Sequence, residues 1–339
     1  MEKPILGWVL SVCRSAFDPG QSNRIVVVVH PDMAEVVDYL EWWKEETGIK
    51  GVENVFQSER LGSGHAVIMA KETIDRCEKG ERVVILSGDV PFVRPQTVQE
   101  LVQCAKSCDG AVLTMDHPNP QGYGRVFRDP QGFVAHIVED KDCTSDQRSN
   151  QEVNAGIYVF EARALSWALG RLDNENAQRE YYLPQTVEII QKHQGRIAAL
   201  KVDDAIEVSG VNDRLQLVAL DRLMRLRINH YWLAEGVTIV DPENTTIEPE
   251  VRIGIDTIIQ PFCFIKGKTG IGKDCVIGPF SQIADSWIDD GCVIDRSHLR
   301  GVRAAKEVHI GPFARLREGT ELSESVRIGD FVELKKTVM

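Results

Sequence analysis

The chain has 339 residues, 43% of them hydrophobic and 27% charged, with a formal net charge of −12. That length predicts two domains, and the negative balance argues against general nucleic-acid binding, which needs a basic surface, while leaving room for a phosphate-bearing small molecule held at a local positive site. No stretch reaches the roughly 18 to 20 apolar residues of a membrane span, the opening MEKPILGWVLSV lacks the cleavage site of a signal peptide, and eight scattered cysteines without a C-x-x-C pair read as reduced thiols of a cytoplasmic chain.

In chain order, Ile5, Val9 and Val12 share one helical face, so the N-terminal segment predicts a buried helix. RIVVVV (24–29) predicts a buried strand, 32–47 an amphipathic helix, 52–56 a short strand and 65–77 a helix. A strand at 83–86, a helix at 96–107 and a strand at 110–115 follow. Strands spaced by helices imply a parallel sheet with crossover connections. From 124 to 210 the pattern is mixed, with strands near 125–128, 133–138, 153–160 and 197–202 and helices near 162–170 and 182–194. A long amphipathic helix spans about 213–235.

Beyond that helix the periodicity changes. Isoleucine recurs every six residues at 247, 253, 259, 265, 271, 277 and 283. After an irregular stretch the spacing returns at Ile310, Leu316, Leu322, Ile328 and Leu334. A helix needs a period near 3.6 and a plain strand near 2; a period of six fits a parallel β-helix that turns one aliphatic residue per hexapeptide inward. GKTGIG (267–272) carries the G-K-T of a phosphate loop, but Phe262 stands where that loop requires glycine.

The candidate chemistry lies at strand ends, where open α/β sheets collect ligands. In VVILSGDVPFV (83–93) the apolar run stops at Ser87 and Gly88, and Asp89 follows at once. Asp89 is either a turn-forming residue or a carboxylate that holds Mg²⁺ against substrate phosphates, with Gly88 leaving room for the ligand. In FQSERLGSGHAV (56–67), Gly62 and Gly64 bracket Ser63 where a helix begins; this is either a plain glycine-rich helix entry or a set of free N–H groups facing an anion. Gln57 carries an amide donor and an acceptor, which suits the imide edge of uracil. Asn212, in VSGVNDRLQL, is a plausible N-cap of the long helix.

Taken together and in order, ERLGSGHA, ILSGDVPFV, NPQGYGRV, HIVEDKD, EVNAGIYVF, NAQREYYLP, VSGVNDRLQL and GPFARLREG…IGDFVELKK resemble the bifunctional N-acetylglucosamine-1-phosphate uridyltransferase/glucosamine-1-phosphate acetyltransferase family. The resemblance implies an α/β, Rossmann-like nucleotidyltransferase domain followed by a left-handed parallel β-helix of hexapeptide repeats. The expected divisions are a uridyltransferase domain at 1–211, a linker helix at 212–236 and a β-helix at 237–339. It implies that N-acetylglucosamine 1-phosphate attacks the α-phosphorus of UTP, releasing pyrophosphate and UDP-N-acetylglucosamine, with acetyl-CoA as cosubstrate of the second activity. By resemblance, Asp89 and Asn212 bind Mg²⁺, and Gln57, Gly62, Ser63, Ser87 and Gly88 contact the nucleotide. Gly124, Glu139 and Asn154 contact the sugar, while Arg317 and Lys335 bind the amino-sugar phosphate. A cytoplasmic homotrimer is implied too.

The family opens with a glycine-rich loop, L-A-A-G-x-G-T-R, that has no counterpart before EKPILGWVL (2–10), and its catalytic histidine and acetyl-CoA coils should lie beyond Met339. The chain is therefore expected to be an interior fragment impaired in both activities. The alternatives are a non-catalytic trimeric hexapeptide module that binds nucleotide sugars, or a nucleotidyltransferase for another sugar 1-phosphate.

Overall fold

A computed structural model describes residues 3–17, 24–211 and 213–339. It divides into two units, one ending at Gly210 and one spanning Val211–Met339.

In the first unit, helix α1 (Ile5–Ala16) buries Val9, Leu10, Val12 and Ala16. Strand β1 (Ile25–Val29) pairs in parallel with β2 (Val52–Phe56), and helix α2 (Ala34–Thr47) connects them. Only Val29 of β1 is fully buried, so this strand is less enclosed than its five-residue apolar run predicts. The helix expected at 65–77 is broken at Ala70 into α3 (Ser63–Met69) and α4 (Lys71–Asp75). Strand β3 (Arg82–Ile85), helix α5 (Pro95–Ala105) and strand β4 (Gly110–Asp116) come next.

The mixed segment supplies β5 (Arg125–Arg128), β6 (Val134–Val138), β7 (Glu152–Glu161), α6 (Ala162–Leu169), α7 (Gln185–Lys192) and β8 (Ile197–Val202). The main sheet runs β6-β5-β7-β4-β8, with β3 also on β7. The parallel pairing expected for the strands up to residue 115 holds for β1 and β2, but β3 and β4 do not pair with each other. The ten-residue β7 runs antiparallel to both β3 and β4 and lies between them, so these strands never pair with each other. Its side chains explain the position: Val153, Ile157, Tyr158, Val159 and Phe160 are buried, so both faces of β7 need cover. Strand β4 alternates between two cores. Ala111, Leu113 and Met115 pack with Val98 and Leu101 of α5 and Val12 of α1. Val112 faces Leu165 of α6 and Val187 and Ile190 of α7. Helices therefore sandwich the sheet.

The second unit begins with helix α8 (Arg214–Ala234). Its N-cap is Asp213, whose carboxylate accepts from Gln216 N at 2.7 Å. This corrects the assignment of that role to Asn212, which itself lies outside the described residues; the cap falls one residue later, where the backbone is still extended. Asn229, fully buried, donates Nδ2 to Pro242 O (2.7 Å) and Thr245 O (2.8 Å) and so ties α8 to the first turn of the solenoid.

The solenoid has three parallel sheets of six, five and six short strands. Three hexapeptides complete a turn, so Ile247 pairs with Ile265, Ile253 with Ile271 and Ile259 with Ile277. All seven isoleucines of the first run are buried in one core. The irregular stretch is also solenoid: Ile288, Ile294, Leu299 and Ala304 take the inward positions, with turns one or two residues shorter. The false phosphate loop lies in this coil, where Gly267 is a corner (φ +60°) and a β-carbon would collide with Asp285. Phe262, Phe280, Phe313 and Phe331 also occupy corners with φ of 58° to 62°. Stacking of Phe262 on Phe280 and of Phe313 on Phe331, with centroids 5.0 and 5.3 Å apart, helps offset that strain. Among the described residues, no helix is long and apolar enough to cross a membrane.

Candidate functional site

Strand β3 ends before Ser87. The chain turns there, with Val90 N reaching Ser87 O at 3.4 Å, which places Gly88 and Asp89 at the tip. Two glycines border the Asp89 carboxylate. A β-carbon on Gly88 would meet only Leu6 Cδ1, 4.0 Å away, and one on Gly210 would lie 3.1 Å from Asp89 Oδ2. The charge of Asp89 also reaches Tyr123, whose phenol is pushed up first by burial and then by this carboxylate.

The bulge in β7 lies beside this turn. The pairing with β4 shifts between Val112 and Thr114, and Gly156 takes a φ of +73°. Gly156 N donates to Asn154 Oδ1 at 3.0 Å, and Ser87 Oγ donates to Gly156 O at 3.4 Å. Asn154 is thereby held on both sides: its Nδ2 donates to Tyr158 Oη (2.6 Å) and its main-chain N to Gly124 O (2.8 Å). A β-carbon on Gly124 would come within 3.4 Å of Glu139 Oε1. Gly124, Glu139 and Asn154, expected together from sequence, do meet.

Glu139 follows β6. Burial raises its pKa, and the neighbouring carboxylates Asp142, Asp140 and Glu180 raise it further, against a smaller opposing effect of Arg125. Arg125 is almost wholly buried and is spent on structure, with Nη1 bonded to Tyr123 O and Nη2 to Asp140 Oδ1 at 3.0 Å. Tyr182 is pushed up to about 12 by burial and then by Asp142 and Glu139.

Beyond β2, Gln57 Nε2 stands 3.1 Å from Gly62 O and 3.0 Å from His65 Nδ1. The glycine-rich entry of α3 is bound to the segment before α7. Tyr181 N donates to Leu61 O and Gly64 N to Tyr181 O, both at 2.7 Å, while Leu183 N donates to Ser63 Oγ at 3.2 Å. A β-carbon on Gly62 or Gly64 would come within 2.7 Å of Tyr181 O. These glycines therefore serve close backbone packing, and the Gly64 N–H is already taken within the fold, which removes it from the free donors expected at this helix start. ERLGSGHA and NAQREYYLP, read separately in the sequence, are one structural junction.

Contacts thus form two groups in the first unit. Gln57 meets Gly62, which lies against Glu180, and Glu139, Gly124, Asn154 and Gly156 lead to Ser87, on the turn that bears Asp89; Glu180 acts on Glu139 through its charge. His65, Tyr123, Tyr158 and Gly210 adjoin these residues and were not singled out from the sequence, although each stands in a motif read there: ERLGSGHA, NPQGYGRV, EVNAGIYVF and VSGVNDRLQL. The motifs do not show which partner each of them meets in the fold.

The donor set fits a hard cation. Mg²⁺ commonly takes one or two carboxylates and fills its shell with water and phosphate oxygens. Asp89 supplies one such oxygen group with open space beside Gly88. Among the described residues no cluster of three or more His, Cys, Asp or Glu could hold a metal, so substrate would have to complete the shell. Arg317 and Lys335 are in the second unit, both exposed, one turn of the solenoid apart. Arg317 N donates to Leu334 O at 2.9 Å, and its guanidinium is 3.5 Å from Glu333. Arg300 precedes them in the same column.

Residues 1–233 match the family model described as nucleotidyl transferase, which makes the first unit a nucleotidyltransferase domain. The bifunctional protein GlmU of Thermoanaerobacter pseudethanolicus is 41% identical over 99% of this chain and 71% of its own length. Its counterpart in Acetivibrio thermocellus is 39% identical over 99% of this chain and 70% of its own, and that of a Geobacillus species 42% identical over 84% of this chain and 62% of its own. The chain belongs to the GlmU family. The family and the order of its parts agree with the expectation from the motifs: a nucleotidyltransferase unit followed by a hexapeptide solenoid, in a protein of UDP-N-acetylglucosamine synthesis.

Proposed function

We propose that the unit ending at Gly210 binds UTP and N-acetylglucosamine 1-phosphate at these two groups of residues, and that it holds UDP-N-acetylglucosamine as product. The observation that carries this reading is the run of contacts from Glu139 through Gly124, Asn154 and Gly156 to Ser87, on the turn that bears Asp89. Gln57 faces the base. Gly62 and Ser63 shape the nucleotide side, and Ser87 and Gly88 leave the phosphates free access to Asp89. Glu139 and Asn154 orient the sugar through hydrogen bonds, and Gly124 lets it approach the backbone. In-line transfer of the uridylyl group depends chiefly on such positioning and on charge neutralisation.

Asp89, together with Asn212, would hold Mg²⁺, which when bound neutralises phosphate charge. The surroundings favour that role, because Glu139, Asp140, Asp142 and Glu180 would otherwise repel a triphosphate. In the solenoid, Arg317 and Lys335 receive the phosphate of glucosamine 1-phosphate, with acetyl-CoA as the acetyl donor. We assign residues 1–211 to uridylyl transfer, 212–236 to a linker helix and 237–339 to the acetyltransferase β-helix, and place the protein in the cytoplasm as a homotrimer.

Calorimetric titration of the chain with UDP-N-acetylglucosamine, GDP-mannose and ADP-glucose tests the reading. Binding of the uridine sugar at least about tenfold tighter than the others, a difference of about 1.4 kcal/mol, is expected. Equal or tighter binding of another nucleotide sugar would move the chain to a different substrate. Sedimentation tests the trimer, and a monomer at every concentration would contradict it.

A further inference from the structure

The Gln57 carboxamide offers a ligand less than its composition implies. Its Nε2 is within hydrogen-bond distance of both Gly62 O and His65 Nδ1. A main-chain carbonyl only accepts, so the group facing Gly62 O has to be the NH₂ rather than the amide oxygen. That orientation makes Nε2 the donor to His65 as well. His65 Nδ1 therefore accepts, and the imidazole is neutral with its proton on Nε2. Both amide hydrogens are spent inside the loop, which leaves Oε1 as the atom of the group with which a ligand can bond. His65 is itself held, its ring stacked on Tyr181 at 6.0 Å and 29°, and Tyr181 is fastened at both N and O to the loop that carries the histidine.

We propose that His65 is a specificity-positioning residue: it locks the Gln57 amide so that an acceptor, not a donor, meets the base edge. This rests on the reading in which Gln57 faces the base. Uracil presents an N3–H to that acceptor. Cytosine presents a lone pair at N3, so two acceptors would oppose each other with no proton between them. A polar group that the ligand covers and leaves without a partner in this way discriminates by about 10- to 100-fold.

The test compares dissociation constants for UDP and CDP, measured with Mg²⁺, in the full chain and in three variants. His65→Phe keeps a ring over Tyr181 and removes the acceptor. His65→Asn returns an acceptor near the place of Nδ1. Gln57→Ala removes the reader. We expect the preference for UDP over CDP to fall about tenfold in His65→Phe, mainly through tighter CDP binding, and to recover in His65→Asn. A purely structural histidine would weaken both nucleotides equally, and an unchanged ratio in His65→Phe overturns the proposal. If Gln57→Ala alone lowers the ratio, the base reading stands and the role of His65 falls; if Gln57→Ala leaves the ratio intact, both fall. Should His65→Phe fail to fold, the Gln57 side-chain amide resonances decide. Two slowly exchanging protons, one coupled to His65 Nδ1, support the lock; rapid exchange of both overturns it.

Discussion

Gly210 and Asp89 face each other so closely that a β-carbon at residue 210 would lie 3.1 Å from Asp89 Oδ2. The backbone of Gly210 is not in the left-handed region, so alanine is tolerated conformationally and acts through the carboxylate alone. Gly210→Ala should lower Mg²⁺-dependent affinity for UDP-N-acetylglucosamine by about tenfold, or about 1.4 kcal/mol, with little change in the unfolding midpoint. Calorimetry beside thermal unfolding checks both halves of this expectation.

A different outcome is expected at Gly64. Its missing side chain makes room for Tyr181 O and Leu183 N, which a β-carbon would approach to 2.7 and 3.1 Å. Neither atom is the free end of a flexible side chain. Gly64→Ala should destabilise the first unit by about 1–3 kcal/mol, the usual cost of overpacking, seen as a lower urea midpoint. Wild-type stability in this variant would show that the two segments are not packed as described.

Glu139 gives the pH prediction. Its folded pKa is raised, by burial first and then by Asp142, Asp140 and Glu180. A carboxyl raised in this way keeps its proton longer in the folded state, so its stabilising effect is complete below the ordinary carboxylate range and is lost as pH rises through the raised value. Glu139→Gln, which stays neutral, should melt higher than wild type at neutral pH, with the difference closing toward about pH 4. It should also weaken binding of N-acetylglucosamine 1-phosphate by about tenfold, since an acceptor is lost. Melting curves across that range, with titrations at neutral pH, measure both effects.

In the solenoid, Ile277 is fully buried between Ile259 and Ile294 on adjacent turns. Ile277→Ala should cost about 2–5 kcal/mol. Because the nucleotide candidates belong to the other unit, affinity for UDP-N-acetylglucosamine should remain at the wild-type value. Denaturation followed by tryptophan fluorescence, paired with calorimetry, separates the two effects.

These contrasts mark how far the sequence could be read. The β-helix was legible because its period is local: each hexapeptide repeats one inward aliphatic residue, and Ile247 to Ile283 all reach the core. The stretch from Ile288 to Ala304 escaped the period because its turns are one or two residues shorter, while its residues still face inward. The position of β7 was not legible, since pairing between distant strands leaves no mark in either strand. For the same reason Gly62 and Gly64 could be read as a phosphate-facing loop, although they pack against Tyr181, more than a hundred residues away. For Gln57, the donor and acceptor that suit a uracil edge could be read from composition, but not that the amide donor is taken by Gly62 O and His65 in the fold.

The central claim is that Asp89 supplies the carboxylate that couples a metal ion to nucleotide binding. The most direct measurement is a Mg²⁺ titration of the wild-type chain and Asp89→Ala, each with UDP-N-acetylglucosamine, followed by calorimetry. Wild type should bind the nucleotide sugar more tightly as Mg²⁺ rises, and Asp89→Ala should lose about tenfold or more of that gain, at least about 1.4 kcal/mol, while unfolding at the same midpoint. An Asp89→Ala chain that folds and shows the full Mg²⁺-dependent gain would contradict the account.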